Sequence, residues 1–253
     1  MPVWLEAGLW GLLGGAALVV GAAIAWLVRV PQTVVAAVMA FGSGVLISAV
    51  AFDLMDEAAD TGGLLPTATG FLGGATAYLL ANAALARRGA MHRKRSGNAA
   101  DERQPSEDEQ SGSGTAIAVG ALLDGIPESV VLGIGLLGGG SVSASVLAAV
   151  VISNVPEGLS SAAGMRAAGR PARYVFGVWT TIAVLSGLAA LTGYVALGSA
   201  PPEAVAVITA VAAGAILTML ADTMIPEAFQ NTRIWTGLIV TVGFLVAFAI
   251  DRA

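Results

Sequence analysis

Eight separate stretches of this chain are apolar for about the length of a membrane crossing. A hydrocarbon core about 30 Å thick admits only structures that pair every backbone N–H and C=O internally. The runs therefore predict helices at about 5–28, 33–58, 64–86, 114–138, 141–165, 174–198, 203–228 and 234–251. The expected fold class is an all-α membrane protein, an eight-helix bundle. Only 11% of the 253 residues are charged, against roughly 25% in soluble domains. The N-terminus, Met1-Pro2-Val3-Trp4-Leu5-Glu6, lacks a basic leader region, so the first run is expected to stay as a helix.

One segment breaks the pattern and divides the chain. Residues 1–86 hold three expected spans and 114–253 hold five. Between them, 87–113 is polar and reads as a disordered loop by composition. Its His92 is the one histidine of the chain and reads as a solvated side chain. With the spans above, 11 of the 12 Lys and Arg fall in loops on one side, with Arg252 alone on the other. The positive-inside rule puts those loops in the cytoplasm and both termini outside, in a multi-pass plasma-membrane protein. The lipid bilayer is thus an expected partner. The net charge of −5 argues against nucleic acid.

Three apolar runs contain a Pro-Glu pair. They read Asp124-Gly-Ile-Pro127-Glu128, Ser153-Asn154-Val-Pro156-Glu157 and Asp222-Thr-Met-Ile-Pro226-Glu227. A carboxylate at bilayer depth costs roughly 2.5–3.5 kcal/mol on insertion scales, and a proline frees a carbonyl that needs another partner. Asp124 and Glu128, four apart, share one helix face, as do Asn154 and Glu157, three apart. Both motifs fall near mid-helix, and the short Gly138-Gly139-Gly140 connection predicts that the two helices are antiparallel neighbours. Facing carboxylates in a low dielectric need a cation or protons to neutralise them. Oxygen ligands suit hard divalent ions such as Mg²⁺ and Mn²⁺, and Zn²⁺ also accepts them. The competing reading is that these acids are protonated and hydrogen-bonded as structural glue. Asp222 and Glu227 are either on the ion pathway or at a solvated helix end. Asp53, Asp56, Glu57 and Asp60 end the second helix, and Asp53 is the one expected to line an entrance.

These residues resemble the ZIP (Zrt- and Irt-like) family of divalent-metal transporters, above all its bacterial branch. The motif of that family's fourth helix, His-Asn-x-Pro-Glu-Gly, corresponds to Asp124-Gly125-Ile126-Pro127-Glu128-Ser129. That of its fifth helix corresponds to Ser153-Asn154-Val155-Pro156-Glu157-Gly158. The resemblance implies inverted repeats, with helices 1–3 related to helices 6–8 around helices 4 and 5, and often a homodimer. It implies uptake of a divalent ion of the Zn, Mn or Fe class into the cytoplasm by alternating access. The ion is the transported substrate, and no permanent cofactor is expected. The site would use Asp124, Glu128 and Glu157, assisted by Asn154, with Asp53, Ser153, Asp222 and Glu227 as pathway or entrance residues. The family's fourth-helix His is Asp124 here, its fifth-helix acid is Asn154, and the sixth span has no acid. One site rather than two is therefore expected, with a bias toward a harder ion than zinc.

Two rivals to metal uptake stay open: a metal-binding sensor or scaffold that no longer transports, and a proton or sodium carrier. A metal-dependent hydrolase would want His ligands and an activated water. No expected span contains His or Cys, so the chain is read as not an enzyme.

Overall fold

The structure, a computed structural model, describes residues 1–88, 90, 104 and 113–252. Apart from a few positions, the loop expected at 87–113, His92 included, lies outside the described residues. The secondary structure of the described residues is entirely helical. Helix α1 spans Val3–Leu27 and α2 Gln32–Ala49. The latter runs through a π-helical turn, Val50–Met55, into α3, Asp56–Gly62. Helices α4 (Leu64–Ala86), α5 (Ser113–Ile134), α6 (Ala144–Ala167) and α7 (Ala172–Leu197) follow. Helix α8, Pro202–Met219, passes through a second π turn, Leu220–Met224, into α9, Ile225–Thr232. A short turn, Arg233–Trp235, leads to α10, Thr236–Asp251. Among the described residues seven helices are long and apolar enough to cross a membrane, with Pro202–Asp251 counted as one run. That run is interrupted at Arg233, whose φ of 49° and ψ of −124° no helix accepts.

The fourth expected helix ends earlier than its hydropathy suggests. Gly138 and Gly139 have φ of 64° and 82°, which favours glycine and turns the chain. Ser143 then caps α6, its hydroxyl accepting from the Val146 N–H at 3.3 Å.

Close helix approach is built on paired glycines. In four helix pairs, a glycine on each partner faces the carbonyl three residues before the other's glycine. They are Gly21 and Gly158 (α1 with α6), Gly44 and Gly243 (α2 with α10), Gly74 and Gly214 (α4 with α8), and Gly133 and Gly193 (α5 with α7). At all of these but Gly193 a Cβ would strike backbone of the facing helix. The Gly11-x-x-x-Gly15 spacing faces α7, where a Cβ at Gly11 would lie 2.6 Å from the Ser186 carbonyl oxygen. Gly70 and Gly74 meet Val207 and Val211, so α4 and α8 run in the same direction. Gly62 lies against Ala206, and Ala58 packs with Ala206 and Ala210, so α3 runs opposite to α8. Gly44 faces Val240, and Phe52 stacks on Phe248 with 5.1 Å between centroids, so α10 runs with α2.

Among the described residues, an acidic cluster lies at one end of the bundle and a pair of arginines at the other. Asp53, Asp56, Glu57 and Asp60 lie at the end where α5 turns into α6. Arg29 and Arg166 lie at the other, where α1 turns into α2.

Candidate functional site

A polar layer crosses the bundle between two apolar clusters. On the acidic side, Val131 and Leu132 of α5 pack with Val146, Ala149 and Val150 of α6 and with α2 and α8. On the basic side, Ile117 and Ala121 of α5 pack with Leu159, Ala162 and Met165 of α6, Leu18 of α1 and Trp179 of α7. Between these clusters along α5 lie Asp124 and Glu128, 1% and 2% exposed. Between them along α6 lie Ser153, Asn154 and Glu157, also buried. The hydropathy of both spans hides this layer, because each acid is outnumbered by the Ala, Val, Leu and Ile around it.

Each polar side chain has a distinct setting. The Tyr78 hydroxyl of α4 donates to Asp124 Oδ1 at 2.5 Å, at the short end of O–H···O hydrogen bonds. The Asn154 amide Nδ2 donates to the Gly14 carbonyl of α1 at 3.0 Å, which anchors it on α1. The Ser129 and Ser153 hydroxyls donate to carbonyls of their own helices, Gly125 at 2.7 Å and Val150 at 3.0 Å. Helices α5 and α6 continue through Pro127 and Pro156. Pro156 lacks the N–H that would have bonded the Ile152 carbonyl. That carbonyl faces Gly42 of α2, where a Cβ would lie 3.3 Å from it.

The two motif helices, expected as antiparallel neighbours, meet only over a short stretch. Helix α5 packs mainly on α7, α8 and α1, and α6 on α1 and α2, with only a short stretch of α5 against α6. The cause is the glycine pairing, which gives each a closer partner than the other. Among the described residues no three His, Cys, Asp or Glu side chains are gathered so as to hold a metal ion.

A cavity of about 440 Å³ opens at the acidic end. Asp53, Asp56, Glu57 and Asp60 line it, with Ser141 and Ser143. Asp53, half-buried in the first π turn, accepts a 3.0 Å hydrogen bond from the Ser143 hydroxyl, which ties α2 to the start of α6. The inner wall of the cavity is Val131, Leu132 and Val146, the apolar layer above the carboxylates. Leu132 is one helical turn, about 6 Å along the axis, from Glu128.

Asp222 is exposed on the second π turn, and Glu227 is half-buried with Gln230 Nε2 at 3.5 Å. Neither is buried as the α5 and α6 carboxylates are. Pro226 starts α9 directly after the π turn rather than interrupting a regular helix. On the basic side, Gln104 is buried and its Nε2 donates to the Ser161 carbonyl at 3.0 Å, one turn beyond Glu157. Tyr78 is the site residue that motif reading misses. Its signal is a lone phenol in an Ala-, Leu- and Gly-rich span, since a buried tyrosine needs a partner for its hydroxyl. No known protein-family model matches the chain, and no curated protein is similar to it in sequence.

Proposed function

We propose that this protein carries a divalent metal ion of the Zn, Mn or Fe class across the membrane, in the manner of the ZIP transporters its motifs resemble. The observation that carries this reading is the burial of Asp124, Glu128 and Glu157 in a polar layer beneath an acidic cavity. Carboxylates so far from water are retained at a cost that a membrane anchor has no reason to bear. A cation collects among Asp53, Asp56, Glu57 and Asp60, where like charges raise its local concentration. It then passes the thin apolar wall and is bound by the carboxylates, with the Ile152 carbonyl freed by Pro156 as a further oxygen ligand. In this reading, binding draws α5 and α6 together, and that movement alternates access. The π turns beside the cavity and before α9 are the backbone irregularities on which such motion turns.

The bundle in this reading has eight spans, with Arg233 reversing the chain between α8–α9 and α10. In support, α8 runs opposite to α3 and α10 runs with α2. The inverted repeat is supported by correspondences at an offset of about 170 residues: Gly44 with Gly214, Gly74 with Gly243, and the acid-bearing π turns with one another. The basic end faces the cytoplasm by the positive-inside rule.

That no three His, Cys, Asp or Glu side chains are grouped for a metal among the described residues favours one rival, a carrier of protons or sodium, for which fewer carboxylates suffice. Reconstituted vesicles separate the two. A metal carrier accumulates Mn²⁺, Zn²⁺ or Fe²⁺ and loses this with Asp124→Ala or Glu157→Ala. Proton flux without metal flux would overturn the metal reading, and full metal uptake by both variants would remove the site.

A further inference from the structure

At the basic end, a groove of about 600 Å³ opens between the end of α1, the start of α2 and the end of α6. Its polar lining includes Arg29 and Arg166, and among the described residues no acidic side chain lines it. Its walls are apolar, with Val28, Val35 and Leu159 among them. Arg166 uses Nη1 to cap α1, donating to the carbonyls of Ala25 at 3.3 Å and Trp26 at 2.8 Å. Its guanidinium also lies over the Trp26 ring, 5.2 Å from the centroid. A guanidinium has five N–H donors in a fixed fork. The cap occupies one nitrogen and leaves the others for a ligand. Arg29 is exposed beside it and makes no hydrogen bond or ion pair among the described residues.

We infer that this groove binds an anionic phospholipid, with the phosphate between Arg29 and Arg166 and an acyl chain against Val28, Val35 and Leu159. Two arginines with no countercharge among the described residues favour an anion, and the apolar walls favour an amphiphile over a free ion. Trp26 lies in the last turn of α1, and indoles are enriched at membrane interfaces. Basic pockets between helices at this level are a recurrent setting for anionic headgroups. The acidic cavity at the opposite end repels the same headgroup, so the binding is confined to one leaflet. This inference is independent of what the protein transports.

Native mass spectrometry of the full chain in detergent tests it, with dioleoyl phosphatidylglycerol, dioleoyl phosphatidylcholine and inorganic phosphate as probes. Phosphatidylglycerol is expected to bind more tightly than phosphatidylcholine. Arg29→Gln should weaken phosphatidylglycerol binding about fivefold, the contribution typical of one basic residue near an anionic headgroup. Arg29→Lys should retain most of the preference. Arg29 is exposed and makes no hydrogen bond or ion pair among the described residues, so neither change disturbs the fold. Arg88→Gln, an exposed arginine at the same end outside the groove, should have no effect. Equal binding of the two lipids overturns the proposal. So does an equal loss in the Arg88 variant, which would mean diffuse surface attraction. Displacement of the lipid by millimolar inorganic phosphate would make the ligand a free anion and overturn it as well.

Discussion

The Tyr78 hydroxyl reaches across from α4 to hold Oδ1 of Asp124 at 2.5 Å, and both residues are at most 2% exposed. This bond ties α4 to α5 at the buried carboxylate. It also lowers the cost of burying the carboxylate, since a buried acceptor without a donor costs about 1–3 kcal/mol. Tyr78→Phe keeps the ring and removes the donor. The variant is expected to lose stability in that range, and Asp124→Asn is expected to make the loss smaller. A double-mutant cycle on thermal unfolding in detergent measures the coupling. Strictly additive effects would mean that the bond contributes nothing.

Glu128 and Glu157 are expected to separate function from fold. Each is 2% exposed, and a neutral amide of the same shape carries a smaller desolvation cost than an ionised carboxylate. Glu128→Gln and Glu157→Gln should therefore unfold no earlier than the parent without metal, yet show no uptake. Metal at a hundred times its Kd should stabilise the parent by about 2.7 kcal/mol and leave the variants unmoved. Thermal scans with and without Mn²⁺ read both quantities. Unfolding of the metal-free variants well below the parent would assign the glutamates a structural role instead.

Much of this site was legible in the residues, and the reason for the remainder is physical. The spans follow from hydropathy, because the bilayer sets their length. The burial of Asp124, Glu128 and Glu157 follows from their place inside those spans. Partner choice does not follow. Spacing of three or four tells which residues share a face, but not which helix that face meets. Hence the short loop at Gly138 pointed to α5 and α6 as antiparallel neighbours, whereas the glycines at 21, 133, 158 and 193 give each a closer partner. Asp53 and Asp222 were invisible as π-turn residues, since an extra residue in a helical turn leaves no compositional trace. Tyr78 was missed because its partner is 46 positions away.

Acidity should suppress uptake. Protons and a divalent cation compete for the same carboxylate oxygens, so affinity falls as pH falls. The sign follows from the ligand chemistry: protonated carboxylates are neutral and cannot offset the charge of the ion. Initial rates at low metal concentration are expected to be higher at pH 7.5 than at pH 5.5, with the difference shrinking as metal saturates. Rates that rise with acidity, with protons driving the ion inward, would contradict simple competition.

The acidic cavity should act on capture rather than on the bound ion. Asp56 and Asp60 line it and are exposed, so their field is screened within about 8 Å at physiological ionic strength. Changing both to Asn should raise the apparent KM for metal at low salt and leave the maximal rate intact. At high salt the parent and variant should converge. A fall in maximal rate with KM unchanged would place these residues in the transport step.

Two adjacent glycines in α4 offer a sharp test of the packing. At Gly74 a Cβ would collide with the Val211 carbonyl of α8, whereas at Gly73 nothing lies within 4 Å. Both are mid-helix and helical in backbone, so their intrinsic preference for alanine is the same, roughly 0.5–1 kcal/mol in favour of the substitution. Packing alone distinguishes them. Gly73→Ala should leave stability unchanged or raise it slightly. Gly74→Ala must push α4 away from α8, at an overpacking cost of about 1–3 kcal/mol. The displacement would reach Tyr78, one turn further along α4, and so stretch its bond to Asp124. Unfolding midpoints in detergent and metal uptake are both expected to fall for Gly74→Ala and not for Gly73→Ala. Equal behaviour of the two variants would mean that α4 and α8 are not in the close contact described.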